Sequence, residues 1–142
     1  MKYIVLVSHG TFAAGLHNAL SMLAGGDRTD IISAGLENGM SADEFAGKFK
    51  ECLSKIAEGD EIILFGDLIG GSPLTTASNV IAKEGLLERT VMFGGMNLPL
   101  VLSAALMKDA MEMKDLADML LAEAREQIKE FLVTTDESED EI

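Results

Sequence analysis

Short, unbroken apolar runs alternate along the chain with longer stretches whose apolar positions recur every three or four residues. Residues 3–7 (YIVLV) form the first run, β-branched and continuous, as expected of a strand buried on both faces. It ends at Ser8-His9-Gly10. Phe12, Leu16, Ala19, Leu20 and Leu23 then fall at helical spacing, and Gly25-Gly26 supplies the stop. Residues 31–36 read as a second, weaker strand. Ser41 followed by Glu44 is a capping box, opening a helix with Phe45, Phe49, Cys52, Leu53 and Ile56 on one side. Residues 61–65 make a third strand that runs into Asp67-Leu68-Ile69-Gly70-Gly71-Ser72-Pro73. Ser72 is the expected N-cap and Pro73 the first helical residue of a helix reaching about Lys83-Glu84, with Gly85 just beyond it. A fourth strand over 90–93 ends at Gly94-Gly95-Met96-Asn97-Leu98-Pro99. An apolar helix over about 100–107 and an amphipathic one over roughly 115–133 complete the series.

Strands alternating with helices predict one α/β domain over 1–133: an open, doubly wound, mainly parallel sheet of order 2-1-3-4 with helices on both faces. Residues 134–142 read as an acidic, unstructured tail. The length of 142 residues, with 48% hydrophobic and 25% charged positions, suits a single globular domain. Eleven Lys and Arg against 24 Asp and Glu give a formal net charge of −13, and the acidity is not confined to the tail. Such a chain lacks the basic footprint of a nucleic-acid binder and is repelled by anionic lipid, while it attracts a basic protein surface. The five apolar residues near the N-terminus fall far short of the about 20 that span a membrane, so the expected compartment is the cytoplasm. A lone cysteine, Cys52, excludes an internal disulfide, and its place on an apolar helix face predicts a buried, inert thiol. The nine methionines read as core filling.

In a doubly wound sheet the ligand site lies outside the carboxyl ends of the strands, where strand order reverses. Three glycine-bearing loops meet there: residues 8–11, 67–73 and 94–99. His9 is the sharpest candidate, because a neutral imidazole is both nucleophile and base near pH 7 once a partner fixes its proton. Asp67, at the end of the strand expected beside the first, is placed to accept from one ring N–H and leave the other nitrogen's lone pair free. Taken alone, His9 reads equally as a helix-entry cap and Asp67 as a turn former; together they favour a site. Helix starts near Gly10 and Thr11, and near Ser72, add backbone N–H groups suited to an anion. His17 lies at the edge of its helix's apolar face and reads as exposed. Two histidines without a ligand cluster make a metal site improbable, and no cofactor is expected. Residues 10–15 have the glycine spacing of a P-loop without its Lys-Ser/Thr, and no GxSxG elbow is present.

Three ordered segments, Ser8-His9-Gly10, Asp67 through Pro73, and Met96-Asn97-Leu98-Pro99, resemble the enzyme IIA component of the mannose-family bacterial sugar phosphotransferase system over about residues 1–130. The resemblance implies a phosphocarrier, a phosphotransferase working through a phosphohistidine. His9 would accept a phosphoryl group from phospho-HPr and pass it to a histidine of enzyme IIB for sugar uptake. Asp67 would orient the imidazole. Gly10, Thr11, Gly70, Gly71, Ser72 and Asn97 would line the phosphate site, with Ser72 close enough to hydrogen-bond there. It further implies a homodimer exchanging a C-terminal antiparallel strand, so that the last helix would fail over 128–133. Contact with the membrane would be indirect, through the permease components, and IIB is expected as a separate protein. Thr11 stands where some relatives carry an aromatic residue.

Three other readings compete. A phosphocarrier subunit serving dihydroxyacetone kinase shares the fold and the histidine, but the GGSP and NLP segments favour the sugar branch. A histidine phosphatase is suggested by LVSHG, yet Ser8 replaces the arginine that clamps phosphate there. A non-enzymatic regulatory domain on the same fold would make no use of His9.

Overall fold

The computed structural model describes residues 1–134, and the expected acidic tail therefore lies, apart from Thr134, outside the described residues. Four strands, β1 (Lys2–His9), β2 (Ile31–Leu36), β3 (Glu61–Gly66) and β4 (Thr90–Phe93), form one sheet of order β2-β1-β3-β4. Every pairing is parallel. The α-helices α1 (Phe12–Ala24), α2 (Ala42–Cys52) and α3 (Ser72–Lys83) connect them in turn, and α4 (Leu98–Met107) and α5 (Met113–Glu126) follow β4. The expected class and strand order hold.

Because β1 and β3 are central, both of their faces are covered, which is why their sequences are continuous rather than alternating apolar runs. Ile4, Leu6, Ile63 and Phe65 point into a core with α1, α4 and α5; Tyr3, Val5, Val7, Ile62 and Leu64 point into a second core with α2 and α3. The Ser41–Glu44 capping box closes reciprocally at the start of α2, and Phe45 and Phe49 are wholly buried.

Several boundaries and faces differ from expectation. Gly71, extended at φ −80°, is the N-cap of α3, so Ser72 is its first residue and Pro73 its second. Proline still sits in the first turn, where its missing N–H is not needed. Asn97 starts α4 two residues early by accepting the Leu100 N–H at 2.9 Å. The last helix ends at Glu126, well short of Val133; among residues 127–134 there is neither helix nor strand. On α1 the buried positions are Ala13, Leu16 and Leu20, whereas Phe12 and Leu23 are exposed. His17 is half-buried, its Nδ1 2.8 Å from Ser33 Oγ, and desolvation followed by the Lys55 charge lowers its pKa. Cys52 is half-buried rather than sealed in, and desolvation raises its thiol pKa. Of the methionines only Met96 is fully buried; Met1, Met22 and Met107 are exposed, because they fall on the solvent side of their elements.

At the amino edge of the sheet, opposite the candidate site, a charged cluster ties three segments together. Arg28 donates from Nε and Nη2 to Asp30 at 3.0 and 2.8 Å and from Nη1 to the Ala105 carbonyl at 2.9 Å. The buried Lys108 ammonium lies 2.8 Å from Asp30 Oδ2, and Lys2 donates to the Lys108 and Met111 carbonyls. The Arg28 hydrogen bonds, opposed by burial and joined by Lys108, hold the Asp30 carboxyl far below the usual carboxylate range. Removing one partner of a buried pair strands the other's charge. Asp30→Ala is therefore expected to cost about 3 kcal/mol in urea unfolding at pH 7. Since the folded pKa is depressed, the Asp30 contribution is complete above the unfolded value of about 4 and fades as pH falls below it. The difference between wild type and variant should shrink in the same acid range.

Candidate functional site

The site begins with strand register. Val7 pairs with Gly66 across the β1–β3 ladder, so the residues that follow, Ser8-His9 and Asp67, leave the sheet side by side at its carboxyl edge. This is the switch point of the β2-β1-β3-β4 order, with one crossover leaving to each side. Asp67 Oδ2 accepts the His9 backbone N–H at 2.9 Å and lies 2.8 Å from the ring Nδ1, while Oδ1 accepts the Leu68 N–H at 2.9 Å. Burial alone would raise the Asp67 pKa. The His9 backbone N–H, the His9 ring and the Leu68 N–H together outweigh it and hold the carboxyl below its ordinary range. Asp67 is thus an ionised acceptor at neutral pH, Nδ1 carries the proton toward it, and the lone pair is left on Nε2. The His9 side chain is 48% exposed.

The surrounding glycines are placed by close packing. A Cβ on Gly71 would sit 3.1 Å from His9 Cε1, so the bare backbone at 71 forms one wall of the imidazole's seat. A Cβ on Gly35 would meet the Gly10 carbonyl oxygen at 2.1 Å, and the Gly10 N–H donates to the Leu36 carbonyl at 2.8 Å. The turn after His9, with Gly10 at φ +54°, is therefore pressed onto the end of β2. Thr11 occupies the N-cap position of α1 and is exposed, making no side-chain cap there. Gly70, at φ +82°, and Ser72 are exposed on the loop and first helical residue beside Gly71. Asn97 is committed to capping α4 and lines a cavity beside β4 with Ile69 and Gly95.

Two contributors escaped the sequence reading. Ser8 is fully buried, and its Oγ accepts the Ala13 N–H at 2.7 Å, capping α1 from outside the helix. Only the position of a serine five residues before that N–H hinted at it. Ile69 lies across Gly94, where an added Cβ would fall 2.0 Å from Ile69 Cγ1. A backbone bond from Met96 N–H to the Gly66 carbonyl, 3.0 Å, joins the same two loops. Among the described residues no group of three His, Cys, Asp or Glu side chains is arranged to hold a metal ion, and no helix is long and apolar enough to cross a membrane.

With this geometry in hand, comparison with known proteins is decisive. The EIIA-man family, described as PTS system fructose IIA component, matches residues 3–121. The chain belongs to this family. A curated relative, the PTS system fructose-specific EIIA component of Bacillus subtilis (strain 168), is 27% identical over 122 residues, covering 86% of this chain and 81% of the relative. The crystal structure of the phosphotransferase system component EIIA from Streptococcus agalactiae superposes with a TM-score of 0.78 at 25% identity, covering 92% of this chain and 97% of that one. The mannose/sorbose-specific IIA subunit from Enterococcus faecalis has the same fold, with a TM-score of 0.81 at 20% identity, covering 96% and 99%. This protein is thus an EIIA component of the mannose/fructose family, a phosphotransferase component of sugar uptake.

Gly71 gives a direct test of the candidate site's geometry. Its extended backbone accepts alanine without strain, whereas the new methyl presses on the imidazole. Gly71→Ala should change unfolding stability by about 1 kcal/mol or less. Nitrogen-15 NMR should nonetheless show the Nδ1–H tautomer of His9 depleted. An unchanged tautomer would mean that Gly71 does not seat the ring.

Proposed function

We propose that this chain is a phosphocarrier that accepts a phosphoryl group from phospho-HPr on His9 Nε2 and hands it to a histidine of enzyme IIB. The observation that carries this reading is the 2.8 Å contact of Asp67 with Nδ1 of a half-exposed imidazole at the sheet's switch point. In the forward step Nε2 attacks phosphorus in line, the Nε2–P bond forms, and the donor's N–P bond breaks with its electron pair staying on the donor imidazole. No proton moves. The Asp67 carboxylate stabilises the positive charge that builds on the His9 ring, and the second transfer reverses the step toward IIB. Gly10, Thr11, Gly70, Gly71 and Ser72 line the volume beside the ring, where backbone N–H groups at the starts of α1 and α3 favour the phosphoryl oxygens. Asn97 serves the site by anchoring the adjoining loop. The acidic chain suits a donor with a basic rim, and the compartment that this chemistry requires is the cytoplasm.

The same reading makes the protein a homodimer. Among the described residues no strand pairs with the outer edge of β4, and the apolar residues Ile128, Phe131, Leu132 and Val133 are all exposed after α5. An open strand edge and an uncovered apolar segment on one chain are complementary across a two-fold axis, as an exchanged antiparallel strand would be. The domain of 1–133 followed by an acidic tail belongs to this proposal as well. The phosphatase alternative loses support from His17, which is engaged with Ser33 and so offers no second catalytic imidazole.

Incubation with phosphoenolpyruvate, enzyme I and HPr should place one acid-labile phosphate on each chain. His9→Ala should abolish it without altering the circular dichroism spectrum, and persistent labelling would move the nucleophile elsewhere. Asp67→Asn should slow phosphorylation by about 100-fold at pH 7 with the chain still folded. A wild-type rate in that variant would remove Asp67 from the transfer.

A further inference from the structure

The backbone that carries the phosphoacceptor is pinned from three directions. From β3, Asp67 Oδ2 accepts the His9 N–H at 2.9 Å and lies 2.8 Å from the ring Nδ1. From β2, the Leu36 carbonyl accepts the Gly10 N–H at 2.8 Å. The third hold is the Ser8 hydroxyl, which donates to the His9 carbonyl at 3.0 Å and accepts the Ala13 N–H of α1 at 2.7 Å. One hydroxyl therefore has its proton on the histidine's own peptide and a lone pair on the first turn of the next helix, and so fixes the spacing between them. Ser8 is fully buried, and neither bond is open to replacement by bulk water.

A cap for α1 would ordinarily come from Thr11, the residue at the N-cap position. Its backbone, at φ −97° and ψ 10°, is outside the extended conformation from which a cap side chain reaches the second or third helical N–H, and it makes no such bond. Ser8 caps in its place from the end of β1, which ties the helix start to the histidine rather than to the turn between them. We infer that Ser8 is a positioning residue for phosphoryl transfer at His9, holding the imidazole and the first turn of α1 in one fixed relation. Asp67 selects which ring nitrogen carries the lone pair; Ser8 sets where that nitrogen stands relative to α1. Ser8 bonds to neither the ring nor phosphorus and acts through the His9 peptide group. This role rests on the carrier reading given above, and it gives the buried serine a part in the reaction beyond capping the helix.

Single-turnover phosphorylation of the full chain over a range of phospho-HPr concentrations, with nitrogen-15 NMR of His9, tests this. Ser8→Ala should lower the maximal rate about tenfold and leave the half-saturating donor concentration unchanged, because alignment is lost and docking is not. The Nδ1–H tautomer should persist, since Asp67 is untouched. Ser8→Thr, which keeps the hydroxyl, should restore the rate. Ser41→Ala removes the capping hydroxyl of α2, remote from His9, and should lower the urea midpoint at a wild-type rate. If Ser8→Ala does not fold, Ser8→Cys carries the same comparison, its thiol filling the space as a weak donor. A wild-type maximal rate in Ser8→Ala, or a folded Ser8→Thr as slow as Ser8→Ala, would overturn the role. So would a Ser41→Ala chain slowed to the same degree, which would assign the slowing to lost stability, or a rise in half-saturating concentration alone, which would assign it to docking. A wild type that takes no phosphate would end the carrier reading and this role with it; a labelled wild type beside an equally fast Ser8→Ala would end this role alone.

Discussion

Parallel pairing of β1 with β3 is the constraint from which the rest of the site follows. Both strands are buried on both faces, so neither can slip by a residue without turning a core side chain into the wrong layer. With the register fixed at Val7 opposite Gly66, His9 and Asp67 leave the sheet as neighbours. The carboxylate then bonds the histidine twice, at the backbone N–H and at the ring. The first bond ties the strand ends together, and the second selects the tautomer. One aspartate thereby converts sheet geometry into a chosen nitrogen lone pair.

The packing around this pair is built from absent side chains. Gly71 makes room for the imidazole, Gly35 for the turn at Gly10, Gly66 for Leu74 and Gly94 for Ile69. Gly35 lets the backbone turn at Gly10 close on the end of β2, and the other three leave room for a neighbouring side chain. Polar demands are met locally: Ser8 caps α1 and Asn97 caps α4 with their own oxygens. β1 and β3 are paired on both sides, while among the described residues no strand pairs with the outer edge of β4.

The two ends of the sheet are specialised differently. At the amino edge the Arg28–Asp30–Lys108 cluster closes charge upon charge away from water. At the carboxyl edge His9 is half-open, with Asp67 as its charged partner. On the proposed reading, a phosphoryl group arriving there would be positioned by ring, carboxylate and helix starts, an arrangement suited to reversible transfer between nitrogens of similar basicity.

The element order, the parallel 2-1-3-4 sheet and the candidacy of His9 and Asp67 are legible in the residues alone. These are written in local periodicity, in uninterrupted apolar strands and in glycine-marked strand ends, all of which act over a few residues. Helix faces were legible only where packing agreed with propensity: the α2 stripe held through Phe45 and Phe49, while Phe12 and Leu23 turned outward on α1. Contacts between segments far apart in sequence came from the folded chain instead. Ser8 on Ala13 is nearly local, but Gly71 on His9, Ile69 on Gly94 and the buried Lys108 on Asp30 depend on how loops meet in space. Past α5 the same limit shows: the amphipathic pattern carries on to Val133, yet the helix ends at Glu126, because a helix is sustained by the surface it packs on and Phe131, Leu132 and Val133 stand exposed.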